Sequence, residues 1–199
     1  MLFEIVADYG ETPNKCTIAP LAGRPDFRVV RVHGEGQLGP LTAPLLLHHE
    51  GECLSILRAG YSPCPALAAI DCVWRRLPHL VRKTDWVGGR QPVLARIPEG
   101  FVTAYPRIGL QATDPDGGFA TIEAIFVAAA MLGNPDLSLL SKYYFARRFL
   151  ELNADRFRDF GIETLNVDLL PPLEKRPRNA LTRRWNRGRG SDLHVRPTD

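Results

Sequence analysis

An aspartate and a tryptophan lie near the carboxyl end of a predicted strand, a position that is typical of ligand-binding residues. The tetrapeptide Asp71-Cys-Val-Trp74 follows an apolar run inside the predicted strand 65–74. In open α/β sheets, ligands bind outside the carboxyl ends of the strands. An aspartate there can face a cationic or hydroxyl-bearing ligand, and a tryptophan can stack on a purine or hold a sulfonium through its π face. The alternative is an aspartate that caps the next turn above a core tryptophan.

A second polar cluster consists of His48 and His49 beside Glu50 and Cys53. Imidazole and thiolate are zinc ligands. Adjacent side chains on an extended chain point to opposite faces, so the sequence predicts that the two histidines have a structural or ligand-lining role rather than a metal-binding one. The four cysteines form no Cys-x-x-Cys pair and are expected to be free thiols.

The motifs of several enzyme classes do not occur in the sequence. It contains no Gly-x-Ser-x-Gly elbow, no P-loop and no His-Glu-x-x-His. Gly34, Gly36 and Gly39 have the spacing of a dinucleotide fingerprint, but Pro40 follows them and cannot open a phosphate-binding helix. We interpret this stretch as a loop.

Hydrophobic patterning predicts an α/β fold in which a sheet-forming part precedes a helical one. Short β-prone runs bounded by Pro and Gly indicate strands over 2–7, 27–32, 41–49, 65–74 and 101–104. After the turn Asp114-Pro-Asp-Gly-Gly118 the pattern predicts a buried helix over 121–132, a helix capped by Asp136, and a last helix over 154–160. The expected organisation is an α/β domain over 1–116, a helical part over 117–170 and a basic flexible tail over 171–199.

Charge is distributed unevenly along the 199 residues. Residues 174–199 hold eight Lys and Arg against three acids, a net charge of +5, and the remainder of the chain has −2. Such an arm suits a polyanion, most often RNA or DNA, although a solvated terminus that aids solubility has the same composition. The longest apolar run is nine residues and the first residues include acids, so neither a membrane span nor a secretory signal is expected and the location is expected to be cytoplasmic.

Several motifs occur together in an order that resembles one known family. The chain resembles the ribosome-biogenesis aminocarboxypropyltransferases, which modify a hypermodified pseudouridine of small-subunit rRNA. The resemblance covers roughly residues 12–161 and is carried by Asn14-Lys-Cys16-Thr17, Leu45-Leu-Leu47 followed by Gly51 and Leu54-Ser55, Ala69-Ile-Asp71-Cys-Val-Trp74, Arg96-Ile-Pro98, Phe119-Ala-Thr-Ile-Glu123-Ala-Ile-Phe-Val-Ala-Ala, and Phe145 with Phe149-Leu-Glu-Leu-Asn153.

The resemblance implies a fold, a cofactor and a set of site residues. The implied fold is SPOUT-like, with a carboxyl-terminal knot that forms the pocket for S-adenosyl-L-methionine. The implied catalytic residue is Asp71, which would orient the methionine chain or accept a proton from the nucleobase. The implied cofactor-binding residues are Leu47, His49, Trp74, Phe101, Val102, Ala104, Tyr105, Thr121 and Ala124. The residues expected on the RNA side are Lys15, Thr17 and Arg24, with Arg183, Arg184 and Arg187 of the arm.

The resemblance further implies transfer of a 3-amino-3-carboxypropyl group to a uracil nitrogen, and a monomer that acts on small-subunit rRNA or a pre-ribosomal particle. Three departures from the family pattern are Val73 in place of a serine, Leu47-His48-His49 in place of a Leu-Ser-Pro loop, and the segment Ala104-Tyr-Pro-Arg-Ile-Gly109 in place of an asparagine-containing loop. The alternatives are an RNA methyltransferase on the same fold and a ribosome-assembly RNA-binding protein without catalysis.

Overall fold

The structure, a computed structural model, describes residues 1–8, 16–32, 38–106, 118–162 and 166–170. Its strands are β1 Leu2–Asp8, β2 Phe27–Val32, β3 Leu38–Leu41, β4 Leu45–Cys53, β5 Ala66–Asp71, β6 Thr84–Trp86 and β7 Val93–Arg96. Its α-helices are α1 Leu54–Tyr61, α2 Leu77–Lys83, α3 Thr121–Met131, α4 Ala146–Leu152 and α5 Ala154–Asp159. Short 3-10 helices span Ala19–Leu21, Trp74–Arg76, Val87–Gly89, Leu137–Leu140 and Val167–Leu169.

Five strands form one parallel sheet in the order β2-β1-β5-β4-β7, and β3 and β6 pair separately. Parallel neighbours need crossover connections, and a parallel sheet is covered on both faces. The apolar runs of β1 and β5 meet this requirement, because both strands are buried over almost their whole length. Their carboxyl ends lie side by side, with Ala7 opposite Asp71.

Alternation along the strands divides the core between the two faces of the sheet. Phe3 and Ile5 of β1 pack in the larger cluster, with α1, α3 and the helices after it, whereas Val6 packs with Leu80 of α2 and Trp86 of β6. The helices after residue 118 therefore share one core with the sheet. Helix α3 has an almost uniformly apolar sequence because it is buried on nearly all sides.

Buried Glu4 attaches the start of β4 to the sheet. Its Oε2 accepts hydrogen bonds from the backbone N–H groups of Thr42 and Ala43, at 2.6 and 2.8 Å, and its Oε1 is 2.9 Å from Arg28 Nη1. A fully buried carboxylate is tolerated when it is paired and hydrogen-bonded in this way. Glu4 thereby fixes how the chain enters β4, the strand that contains the histidine pair.

Most predicted elements are present with shifted ends. The strand over 27–32 is confirmed, and those over 2–7 and 65–74 correspond to β1 and β5, with Asp71 as the last residue of β5. The helix over 121–132 is confirmed as α3, and it is followed by Gly133 at φ 86°. Asp136 caps as predicted, with its Oδ1 accepting from the Ser138 N–H at 2.9 Å, but the helix that it caps is a 3-10 turn separate from α4.

One predicted strand is wrong, and several elements were not predicted. Residues 101–104 form neither helix nor strand, because side chains elsewhere in the chain satisfy their backbone groups.

The predicted loop over 34–39 lies largely outside the described residues, although Leu38–Leu41 is a strand. The predicted tail over 171–199 also lies outside them, and the predicted knot stays a prediction because the described chain stops at 106 and resumes at 118. No helix in the described ranges is long and apolar enough to cross a bilayer.

Gly51 lies against the backbone of β7 and offers a test of the sheet geometry. A Cβ at this position would stand 2.5 Å from Ala95 N and Leu94 C. We expect Gly51→Ala to lower the free energy of unfolding by about 1–3 kcal/mol or more, because neither backbone atom can move without breaking the sheet. Denaturant titration measures this change.

The matched control is Gly60→Ala in α1, where an added Cβ meets nothing within 4 Å. This change should raise the free energy of unfolding by up to about 1 kcal/mol, because alanine is the better helix former. Equal effects of the two substitutions would contradict the close approach of Gly51 to β7.

Candidate functional site

Asp71 ends the central strand β5 and is held from two directions. Thr121 Oγ1 donates to its Oδ1 at 2.6 Å, and Cys16 Sγ donates to its Oδ2 at 3.0 Å. Burial, followed by the charge and the hydrogen bond of Asp71, raises the pKa of Cys16 from 9.0 to about 12. Cys16 therefore stays a thiol and serves as a hydrogen-bond donor at neutral pH.

The amino terminus of α3 also contacts the chain that follows Cys16, next to Asp71. The Ile122 N–H is 3.4 Å from Thr17 Oγ1, so the chain that follows Cys16 lies along the first turn of the helix. Thr17, expected on the RNA side, thus lies beside Asp71. Ala124, one turn after Ala120, is half-buried on the same helix.

Glu123 is the third residue of α3 and connects the helix to the segment 101–105. It is 0% exposed. Its Oε1 accepts from the Ala104 N–H at 2.8 Å and from the Tyr143 hydroxyl at 2.9 Å. Its Oε2 accepts from Thr103 Oγ1 at 2.6 Å and from the Ala120 N–H at 3.0 Å. Four donors from three parts of the chain therefore converge on one buried carboxylate.

Asn153, between α4 and α5, holds the beginning of the same segment. Its Oδ1 accepts from the Val102 N–H at 2.7 Å, and its Nδ2 donates to the Val102 carbonyl at 2.8 Å. The Phe101 ring packs edge-on against Phe157, with centroids 5.0 Å apart, and is stacked on Phe160. Residues 101–105 are thus fixed by two buried polar side chains and by ring packing rather than by strand pairing.

The two histidines lie on the same side of β4, so the prediction that they point to opposite faces is wrong. Their rings stack with centroids 4.6 Å apart. The physical reason is an irregularity in the sheet: Ala95 of β7 is the register partner of both Leu47 and Glu52, so the residues between these two leave the ladder. The His49 ring then meets Trp74 edge-on at 5.3 Å.

His48 is neutral in this arrangement. Burial, with a contribution from neighbouring His49, lowers the pKa of His48. The Glu50 N–H donates to His48 Nδ1 at 3.2 Å, which leaves the ring proton on Nε2. Among the residues that the structure describes, no three His, Cys, Asp or Glu side chains are grouped to hold a metal ion.

The structure links several of the predicted site residues by direct contacts. Asp71 and Thr121 are bonded directly, His49 contacts Trp74, and Glu123 joins the 101–105 segment to the helix that carries Thr121. Half-buried Leu47 and Tyr105 pack against the same core as Phe101 and Ala104. Trp74 is half-buried and Val102 is exposed.

The predicted RNA residues are placed differently. Arg24 lies at the amino end of the sheet, since its carbonyl accepts from the N–H of Phe27 and the neighbouring Asp26 carbonyl accepts from the N–H of Phe3. Its guanidinium contacts Asp26 at 2.8 Å and Asp136 at 3.0 Å. The hydrogen bond from Arg24 lowers the pKa of Asp26, as a structural ion pair would. Lys15, Arg183, Arg184 and Arg187 lie outside the described residues.

Sequence reasoning missed three residues that build the site: Cys16, Glu123 and Asn153. Glu123 carries a readable signal, because an acid at the third position of an otherwise apolar helix can accept from the backbone at the helix start. Asn153 follows the helix end within a motif of the resemblance, but its partner is 51 residues away. The bond between Cys16 and Asp71 spans 55 residues and has no local signal.

Comparison with known proteins gives one distant structural likeness. No protein-family model and no curated protein matches the chain. Among solved structures, the chain is similar to the SAM-dependent rRNA:acp-transferase Tsr3 from Vulcanisaeta distributa, with a TM-score of 0.52 and 17% identity over 80% of this chain and 82% of that chain. At this identity the likeness shows the fold, a mixed α/β arrangement built on the five-stranded parallel sheet.

The bond between Cys16 and Asp71 predicts how the thiol reacts. Asp71→Asn removes the negative charge that opposes the thiolate, so the pKa of Cys16 should fall and its alkylation by iodoacetamide at about pH 10 should speed up severalfold. Peptide mapping by mass spectrometry follows this one cysteine. Asp85→Asn, at an exposed acid elsewhere, is the control and should leave the rate unchanged. Equal rates in wild type and Asp71→Asn would contradict the bond.

Proposed function

We propose that the chain is an S-adenosylmethionine-dependent transferase that moves the 3-amino-3-carboxypropyl group to a uridine or pseudouridine of small-subunit rRNA. The observation that carries the proposal is the fold shared with Tsr3 over four-fifths of the chain. It is supported by the position of Asp71 and Trp74 at the carboxyl edge of that sheet, where α/β proteins bind ligands.

The residues present fit a sulfonium cofactor. The predicted catalytic and cofactor-binding residues include one carboxylate, Asp71, and one half-buried indole, Trp74, both attractive to a positive sulfur, and they include no Lys or Arg. The bound cofactor would supply an activated carbon next to sulfur. Trp74 would contact the methionine chain, and residues 101–105 with Thr121 and Ala124 would enclose the adenosine.

Asp71 acts in this proposal as a positioning residue. Both of its oxygens accept hydrogen bonds, from Thr121 and Cys16, and these bonds fix the orientation of the carboxyl group. Its negative charge would orient the methionine chain and favour the sulfonium beside Trp74.

The proposed transfer is a substitution at carbon. The bound cofactor would supply a γ carbon activated by the neighbouring positive sulfur. The uracil nitrogen would displace methylthioadenosine from that carbon and lose its proton to solvent. All three sulfonium substituents are activated alike, so the protein selects one by geometry. The 101–105 segment supports such a role, because the buried side chains of Glu123 and Asn153 hold it in place.

Two labelled cofactors test the proposed function. The purified chain is incubated with small-subunit rRNA and S-adenosylmethionine labelled in the carboxyl group or in the methyl group. We expect label in RNA from the carboxyl-labelled cofactor only, with release of methylthioadenosine. Label from the methyl group would instead show an RNA methyltransferase, and label from neither would contradict both transferase assignments.

Trp74→Ala tests the cofactor contact. Loss of an aromatic contact to a cation costs about 1–2 kcal/mol, so the dissociation constant for S-adenosylmethionine should rise about tenfold or more. Isothermal titration calorimetry measures it. Val73→Ala, one residue earlier and exposed, is the control and should bind as wild type does. Unchanged affinity in Trp74→Ala would remove this residue from the site.

A further inference from the structure

The segment that follows Asp71 presents a row of basic side chains to solvent. The 3-10 helix Trp74–Arg76 runs directly into α2. Arg75, His79 and Arg82 are all exposed, and their spacing of four and three residues places them on one side of the helix. Leu77 and Leu80 occupy the opposite, buried side. We name these three exposed residues the α2 stripe.

The charge of the α2 stripe is not neutralised by its surroundings in the described structure. Residues 72–84 contain four Lys and Arg and no acid. Within the described ranges neither Arg75 nor Arg82 has an ion-pair partner. Arg76 is different, since its Nη1 lies 2.8 Å from Asp8 Oδ1 and the pair joins this segment to the end of β1. The exposed arginines are thus available to an anion, whereas Arg24 is held by two carboxylates.

The α2 stripe begins next to the candidate site. Arg75 directly follows Trp74, the residue that contacts His49. A helix rises 1.5 Å per residue, so Arg82 lies about 10 Å further along. The stripe therefore leads away from the site on the face of the sheet opposite to α3, because Leu80 packs in the smaller core cluster.

We infer that the α2 stripe binds the phosphate backbone of the substrate RNA and guides the acceptor nucleotide towards Trp74. The inference rests on the proposed function for the identity of the polyanion. Arginine side chains that contact phosphates release counterions, which makes binding tight at low salt and steeply salt-dependent. The stripe would grip the strand next to the reacting nucleotide, and the predicted arm over 171–199 is a separate source of charge.

The test compares two double variants of the full chain that each lose two positive charges. One is R75Q/R82Q. The matched control is K142Q/R148Q, at two exposed residues beyond α3 that have no ion-pair partner among the described residues. Fluorescence anisotropy measures the affinity for a labelled single-stranded oligouridylate between about 50 and 200 mM salt, and calorimetry measures S-adenosylmethionine affinity as a check on folding.

For R75Q/R82Q we expect the slope of log affinity against log salt to fall in magnitude by about 1.4. Each phosphate contact on a single strand releases about 0.7 counterion, and this variant loses two such contacts. At about 0.1 M salt this corresponds to roughly 25-fold weaker RNA binding, with cofactor affinity unchanged. The control should keep the wild-type slope, and R75K/R82K should restore most of the affinity because lysine preserves the charge.

The other outcomes are decisive as well. Equal affinity and slope in R75Q/R82Q and wild type would overturn the stripe while the labelled-cofactor assay still supported the proposed function. Equal losses in both double variants would also overturn it, because a general loss of charge would then explain the effect. A wild-type chain that binds no RNA would contradict both the stripe and the proposed function.

Discussion

The arrangement of the candidate site depends on burying the carboxylate of Glu123, whose hydrogen-bond donors in the described part of the chain are all neutral. Removing a carboxylate from water costs several kcal/mol, and the hydrogen bonds from four donors offset this cost. Those donors come from Thr103, Ala104, Ala120 and Tyr143. Any shift of the 101–105 segment away from α3 would leave the acid with unfilled acceptor positions. The segment is therefore held in place although it belongs to no strand or helix.

The parallel sheet supplies the second constraint, because it places the ends of β1, β4 and β5 at one edge. With regular pairing alone, successive side chains at that edge would point to opposite faces of the sheet. The departure of β4 from the β7 ladder after Leu47 changes this, since it turns His48 and His49 to one side and allows His49 to reach Trp74. Gly51 belongs to the same departure, and its missing Cβ lets the chain return against the backbone of β7. An irregularity of the sheet thus builds one wall of the site.

The features that could be predicted from the sequence are those that depend on consecutive residues. The strand 27–32 and helix α3 carry clear patterns over consecutive residues, and both are confirmed. The position of Asp71 at a strand end also follows from a local apolar run. Residues 101–104 look like a strand because apolar and β-branched residues occur there, yet their N–H groups bond to Asn153 and Glu123. No pattern within four residues can reveal partners 19 and 51 positions away.

The two faces of the sheet divide the charged groups in a way that bears on mechanism. On the α3 face, Asp71 and Glu123 are buried acids whose donors among the described residues are neutral, an environment that suits the positive sulfur of the proposed cofactor. On the α2 face, Arg75 and Arg82 are exposed cations suited to phosphate. Trp74 stands where the chain passes from the first environment to the second. Under the proposed function, this separation would let the cofactor and the RNA approach Trp74 from different sides.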